Sequence, residues 1–280
     1  MDHSQIHQKN IMNSKTKITL TPEQETLLIP LYAKGQPGNR LFFDPNAQNI
    51  LSQVDYDFDR LRVPYKTVIL VCQRAKKLDA VTRDFLAEHR RGIVLHLGCG
   101  LDSRFWRVDN GKVEWYDLDM PPVIELRQQF YPSSERYHLI ASSVTDLEWM
   151  GVVTAASRPV LVIAEGLLMY LAEPDVKRLV LELQEAFPIS RLIADVFSRM
   201  TARSASQHPS LKQTGATIGW GIDDPHEMEA WAPGIHLLEE WFFSQDADLA
   251  RLSPGYRLAY RLAGAFMMVN RAHRILYYQL

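Results

Sequence analysis

The sequence predicts an α/β fold in which helices wind around a mostly parallel sheet, and three observations carry that expectation. Ile93 to Leu97 is a short apolar run, the mark of a buried strand, and it stops at Gly98-Cys99-Gly100. Two residues without Cβ atoms let the backbone turn tightly there and let a ligand approach. Asp119 follows Gly98 by 21 residues, close to the roughly 20-residue spacing at which nucleotide-binding βαβ units hold a ribose hydroxyl with an acid. Between residues 93 and 196, strand-like and helix-like segments alternate strictly. A parallel, doubly wound sheet with ligands at the strand carboxyl ends has this pattern.

Composition bounds the reading. The chain has 280 residues, 46% hydrophobic and 23% charged, with a formal net charge of −2. That is material for one large core, and residues 1–280 read as a single domain. Near-neutral charge gives no electrostatic case for nucleic acid or for an anionic membrane. The two cysteines, Cys72 and Cys99, each lie in an apolar stretch and make no disulfide framework, which fits a reducing compartment. The start Met-Asp-His leads into a polar segment without the pattern of a signal peptide. The longest apolar stretch, Val160 to Leu171, is interrupted by Glu165 and too short to span a bilayer. A cytoplasmic protein is expected.

Taken in order, residues 1–20 read as a mobile tail and 21–91 as an N-terminal helical part. Thr21-Pro22 with Gln24 has the grammar of a helix start and predicts a helix over 22–33. Asp44-Pro45 opens another, to about residue 54. The alternating acids Asp55, Asp57 and Asp59 lack the glycine and closing glutamate of a calcium loop, so they read as a solvated turn. From Tyr65 to His89, apolar residues at 68, 71, 72, 75, 78, 81, 85 and 86 predict a long amphipathic helix. Arg74 lies beside that stripe. It reads either as a surface arginine with a buried stem or as a bidentate clamp for a ligand carboxylate.

After the first strand, 101–108 reads as a short helix and Val113 to Leu118 as the second strand. Pro121-Pro122 opens a helix to about Tyr131, and Tyr137 to Ala141 is the third strand. Asp146 reads both as the N-cap of a helix over 147–155 and as a contact to an adenine amine. Pro159 to Ala164 is an unbroken apolar run, expected of a strand covered on both faces, and Glu165-Gly166 leaves its carboxyl end. An acid there is costly unless paired. Pro174 to Phe187 is a helix and Ile189 to Val196 the fifth strand. The predicted crevice thus collects Gly98, Gly100, Asp119, Asp146 and Glu165.

The remainder is less regular. Residues 198–236, rich in Ser, Gly, Pro and Thr with Trp220 and Trp231, read as a cap insertion over the crevice. Asp223-Asp224-Pro225 reads as a helix cap in preference to a metal pair. Ile235 to Phe243 is a possible strand, Tyr256 to Val269 an amphipathic helix, and His273 to Leu280 a terminal, antiparallel strand.

Several chemistries share such a first half-unit. A dinucleotide oxidoreductase would carry a third glycine where Ser103 stands, and a Tyr-x-x-x-Lys pair; neither is present. Gly-x-Ser-x-Gly and His-Glu-x-x-His, the marks of two hydrolase classes, are also absent. A binding protein without catalysis stays open. Methyl transfer from S-adenosylmethionine (SAM) asks less of the protein, because the sulfonium already activates the methyl. What remains is orientation, worth about 7–11 kcal/mol of barrier.

Residues 94–108 (Val-Leu-His-Leu-Gly-Cys-Gly-Leu-Asp-Ser-Arg-Phe-Trp-Arg-Val), 115–121 (Trp-Tyr-Asp-Leu-Asp-Met-Pro) and 163–171 (Ile-Ala-Glu-Gly-Leu-Leu-Met-Tyr-Leu) closely resemble the leucine carboxyl methyltransferase-like family of class I SAM methyltransferases, in its TcmP-type bacterial branch. The likeness extends to 28–32, 220–225 and 273–276 and covers most of the chain. The resemblance implies a Rossmann-like class I methyltransferase sheet with an antiparallel C-terminal strand and SAM as cofactor. It places Arg74 on the methionine carboxylate and Gly98 and Gly100 beneath the cofactor. Asp119 would take the ribose hydroxyls, Asp146 and Leu147 would border the adenine, and Glu165 would sit near the amino group. Tyr170 would approach the acceptor side. His96 stands where an acid often precedes the glycine loop, which leaves more of the amine recognition to Glu165.

For the acceptor, the resemblance implies a carboxylate or hydroxyl, on a small metabolite or a protein C-terminus. A carboxylate needs no base, whereas a phenol would need help, from His226 or His236 for example. No basic groove for a peptide is evident, so a small, polyketide-like acceptor is expected; a protein-tail methyltransferase or a non-catalytic SAM-binding protein are the alternatives.

Overall fold

The structure, a computed structural model, describes residues 16–17, 25–37, 41–206 and 217–280. Seven strands form the central sheet: β1 (Ile93–Leu97), β2 (Glu114–Asp119), β3 (Tyr137–Ala141), β4 (Val160–Ala164), β5 (Ser190–Phe197), β6 (His236–Phe242) and β7 (His273–Gln279). They stand in the order β3-β2-β1-β4-β5-β7-β6. The first five run parallel; β7 is antiparallel to both of its neighbours, β5 and β6. The chain steps outward from β1 to β3, returns to β4 beside β1, and then steps out the other way. The carboxyl ends of β1 and β4 therefore flank the crevice where the winding reverses.

Strand β1 shows why both faces are covered. Ile93, Leu95 and Leu97 belong to one core and Val94 to the other, in keeping with the two-residue period of a strand. The first core is closed by helix α6 (Glu173–Ala186) through Val176, Leu179, Val180 and Leu183. The second is closed by α1 (Leu28–Gly35), α2 (Pro45–Gln53), α3 (Tyr65–Glu88), α4 (Arg104–Val108) and α5 (Pro121–Gln128). Fully burying a side chain such as Leu78 or Phe85 of α3 contributes about 1.5–3 kcal/mol. Asp44 starts α2 by accepting from the amides of Asn46 at 3.0 Å and Ala47 at 3.3 Å, with Pro45 at the first helical position.

Four segments differ from the expectation or extend it. The helix expected over 147–155 is a 3-10 turn, Leu147–Val152, and Asp146 makes no side-chain capping bond. Gly151 and the β-branched pair Val152-Val153 are poor helix formers, which ends the segment early. The first helix begins at Leu28, and the predicted start at Thr21-Pro22 lies outside the described residues. Within the expected tail, Thr16–Lys17 pairs in parallel with Val54–Asp55. The helix expected over 256–269 is two, α8 (Pro254–Ala265) and α9 (Met267–Asn270), with extended backbone at Phe266 between them.

In the segment expected to cap the crevice, α7 (Arg199–Ser206) follows β5, and Asp224 caps a short turn by accepting from the His226 amide at 3.0 Å. Trp220 is buried in the same core as α6, with Trp231 packed against it. Residues 207–216 lie outside the described part. Among the described residues, no helix is long and apolar enough to cross a membrane.

Candidate functional site

The turn after β1 is fixed from three sides. Gly98 and Gly100 adopt φ of +63° and +52°, the left-handed region that L side chains rarely enter. A Cβ at Gly98 would lie 3.1 Å from Leu167 Cδ1, and one at Gly100 3.3 Å from Leu27 Cδ2. Below the turn, buried Arg127 donates to the carbonyls of Gly100 at 2.8 Å and Asp102 at 2.6 Å, and pairs with Asp117. Beside it, Asp119 accepts from the amides of Gly100 and Met120, both at 2.8 Å. Burial raises the Asp119 carboxyl above its ordinary pKa against the pull of these two amides.

Over the turn lies a cavity of about 300 Å³, at the small end of the roughly 300–1,000 Å³ common for ligand sites. Gly98 and Gly100 line it from β1, and Glu165, Gly166, Met169 and Tyr170 from the end of β4. Helix α1 contributes Leu31 and Lys34, and α3 contributes Thr67, Val71 and Arg74. These two N-terminal helices, not residues 198–236, supply the cover among the described residues.

The charged groups in its wall are all engaged. Glu165 accepts from Arg74 Nε at 2.9 Å and from Arg104 Nη2 at 2.6 Å. Burial pushes its carboxyl up, but the two guanidiniums outweigh burial and hold it down at about 2. Arg74 Nη1 donates to Asp195 at 2.8 Å, while its Nη2 has no protein partner among the described residues. Asp195 also accepts from the Gly166 amide at 2.6 Å and faces His273 Nε2 at 2.8 Å. Burial opposes its ionisation, yet Arg74 and His273 bring its carboxyl well below the usual range. Lys34 pairs with Asp102, which accepts from Arg107 at 3.0 Å; Arg107 and Arg104 both grip Asp79, at 2.7 and 2.8 Å. Charge is thus buried here only in neutralised company.

Of the predicted residues, Arg74, Gly98, Gly100, Glu165 and Tyr170 meet around this one cavity. Asp119 is bonded to the turn but is not in the cavity wall. Asp146 is exposed beyond β3, and Leu147 is half-buried against the core; neither lines the cavity. Sequence reasoning missed Lys34, Asp102, Arg104, Arg127 and Asp195. A signal existed for part of this set: Asp117 and Asp195 are acids inside strands expected to be covered on both faces, so each demanded a buried cation.

The wall holds two cations and two anions, Lys34 and Arg74 with Asp102 and Glu165, which suits a zwitterionic group. It offers no ready base among the described residues. Asp102 and Glu165 are held ionised, while burial raises the Cys99 thiol and the Tyr170 phenol, which keeps both protonated. His96 Nε2 lies 3.3 Å from Arg104, and Nδ1 lies 3.2 Å from Asp117 but outside hydrogen-bonding geometry. No metal-ligating cluster occurs among the described residues.

A family model described as leucine carboxyl methyltransferase matches residues 31–184. The tetracenomycin polyketide synthesis O-methyltransferase TcmP of Streptomyces glaucescens is 38% identical over 265 residues, covering 93% of this chain and 98% of that protein. The S-adenosyl-L-methionine-dependent methyltransferase dpfgK of Gibberella zeae is 31% identical over 260 residues, 83% of this chain and 86% of its own. Among solved structures, a putative methyltransferase from Thermobifida fusca superposes with a TM-score of 0.56 at 19% identity, covering 81% of this chain and 90% of that one, and so shares the fold.

Proposed function

The chain belongs to the leucine carboxyl methyltransferase family and is a SAM-dependent methyltransferase; from that premise we propose that it methylates an oxygen of a small, apolar, polyketide-like acceptor, with a carboxylate as the favoured group. The observation that carries this reading is the cavity itself, where two left-handed glycines lie beside a wall of balanced charge that lacks a free base.

The residues fit the cofactor by shape and by charge. Cβ atoms at 98 and 100 would crowd the turn, and the bare backbone leaves room for the ligand to pass over it. Arg74, through the Nη2 that has no partner among the described residues, and Lys34 would hold the methionyl carboxylate, and Glu165 the ammonium. Asp119 would exchange part of its grip on the turn for the ribose hydroxyls. Asp146 and Leu147 would border the adenine, which needs the ligand to extend past the present cavity along β3. When bound, the cofactor supplies a methyl carried on a sulfonium, open to in-line displacement.

The chain's own part is to position and to exclude water. Leu27, Ile29, Pro30, Val71 and Phe197 give the cavity an apolar side where an acceptor would lose its hydration. Tyr170, whose phenol is protonated near neutral pH, would donate to the acceptor oxygen and orient it. A carboxylate already carries the lone pair that attacks, so no proton has to leave at that step.

Two measurements test the proposal. S-adenosylhomocysteine should raise the melting temperature while NAD(H) does not; the reverse would end the reading. Labelled methyl from SAM should pass into the small-molecule fraction of a cell extract and be released by mild alkali, as esters are and aryl ethers are not. Label in the protein fraction would favour a protein C-terminus as acceptor, and alkali-stable label a hydroxyl. No transfer despite tight binding would favour a protein that binds SAM without catalysis.

A further inference from the structure

The total charge of the chain conceals an uneven distribution: no acidic residue follows Asp248. Within this acid-free stretch, every residue of α8 is exposed except Tyr256, Tyr260 and Ala263. The two tyrosines hold the helix to the body. Tyr256 meets Tyr65 edge to face at 5.3 Å, and Tyr260 donates to Gln73 at 2.9 Å. The opposite side presents Leu258 and Leu262, 56% and 55% exposed. The corner into α9 continues the apolar surface through Phe266 (63%), Met267 (57%), Met268 (68%) and Val269 (49%).

Arg257 and Arg261 flank this stripe, exposed and without a partner among the described residues. Nearby acids do not neutralise them. Asp246 and Asp248 are taken by Lys76, and Glu240 by Arg274 at 2.7 Å. The surface also adjoins the cavity. Ala272, just after α9, accepts from the Ser198 amide at 3.1 Å, next to the lining residue Phe197. Tyr65 opens α3, which carries Thr67, Val71 and Arg74 to the same cavity.

We infer that α8 and α9 form a docking surface for an anionic lipid bilayer. Large contiguous apolar patches are rare on monomeric proteins and mark interaction sites. A helix with leucines outward, arginines at the flank and no acid is the arrangement that lies in a bilayer interface. The arginines meet anionic headgroups while the corner at 266–269 enters the acyl boundary. A second copy of this chain related by a two-fold axis fits less well, because it would set Arg257 and Arg261 against their own images with no acid between them. A protein groove takes a straight stripe, whereas here the apolar residues turn a corner. This inference does not depend on the identity of the acceptor.

The test is flotation of the full chain with vesicles of phosphatidylcholine alone and of phosphatidylcholine mixed with phosphatidylglycerol. Binding is expected on the mixed vesicles only, and it should weaken as salt is raised. Each arginine near such a surface is worth roughly five-fold in partitioning, so R257Q/R261Q should lower binding by about twenty-five-fold. L258E/L262E should abolish it while leaving melting temperature and S-adenosylhomocysteine affinity unchanged. Equal binding to both vesicle types, or binding that survives both double variants, overturns the inference. So does a dimer in light scattering that L258E/L262E dissociates, which would assign the surface to a second copy.

Discussion

Replacing Glu165 by Gln tests the centre of the site, because one carboxylate serves two guanidiniums and faces the cavity. The variant keeps the volume but loses the charge. Its carbonyl can accept from Arg74 or from Arg104, and its amide N–H groups then face the other guanidinium. Losing one charge-assisted hydrogen bond costs about 1.5–3 kcal/mol, and breaking a buried ion pair outright costs about 3–5 kcal/mol. Asp195 still holds Arg74 and Asp79 still holds Arg104, so the loss belongs near the overlap of those ranges, about 3 kcal/mol. For a chain of this size that lowers the melting temperature by about 6–12 °C. Affinity for S-adenosylhomocysteine, which retains the amino group, should fall roughly 10- to 150-fold. Thermal unfolding and titration calorimetry read the two effects separately. A variant that melts early yet binds with wild-type affinity would refute the assignment of Glu165 to the ammonium. One that changes neither would refute the energetic weight given to the ion pairs.

The remaining predictions concern the turn, its flank and the pH response. Gly100→Ala places a Cβ 3.3 Å from Leu27 at φ +52°. A left-handed alanine costs about 1–2 kcal/mol, and a turn that shifts to relieve that cost should lower cofactor affinity, measured by calorimetry, by about five- to thirty-fold; unchanged affinity would show that the turn is not the cofactor platform. Asp119→Ala should weaken cofactor binding by about 1–3 kcal/mol and speed hydrogen exchange at the Gly100 amide. Wild-type affinity in that variant removes Asp119 from the site. Glu165 is an acid with a depressed folded pKa, so its contribution is present above its unfolded value near 4.5 and is lost as pH falls through about 2. Asp102 and Asp195 shift in the same direction, and Asp119, raised by burial, opposes them. Thermal melts should therefore be flat near neutrality and fall below about pH 4.5, less steeply in Glu165→Gln. Stability that rises on acidification would contradict the sign.

What was legible in the sequence was local. The run Ile93 to Leu97, the glycine turn and the apolar run ending at Ala164 each announce themselves within a few residues, and their alternation dictates a wound parallel sheet. That Gly98, Gly100 and Glu165 share one cavity follows from strand order, which the same alternation implies; Arg74 and Tyr170 were expected there only from the family resemblance. The ion pairs were not legible, because partners lie far apart: Arg74 stands 91 residues from Glu165 and 121 from Asp195. Periodicity shows that Asp195 enters a covered strand, but not which cation meets it. Trp220 and Trp231 read as a ligand cap because aromatic, loop-rich segments often are one; that Trp220 is buried in the core α6 shares, with Trp231 partly buried against that core, has no short-range signature. Asp146 fails to cap for a related reason. Its position is right for a cap, but the residues behind it do not sustain a helix.

The ion pairs join into a line that runs from Lys34 through Asp102, Arg107, Asp79, Arg104, Glu165, Arg74 and Asp195 to His273. It ties the first described helix to the last strand across nearly the whole chain. Drift along this line is therefore constrained to move in couples, since a lone replacement strands an opposite charge in a dry interior. A protein divided at a surface loop between Arg107 and Glu165 would yield two halves, the first with surplus positive and the second with surplus negative charge along this line. Neither half should form the cavity until it meets the other.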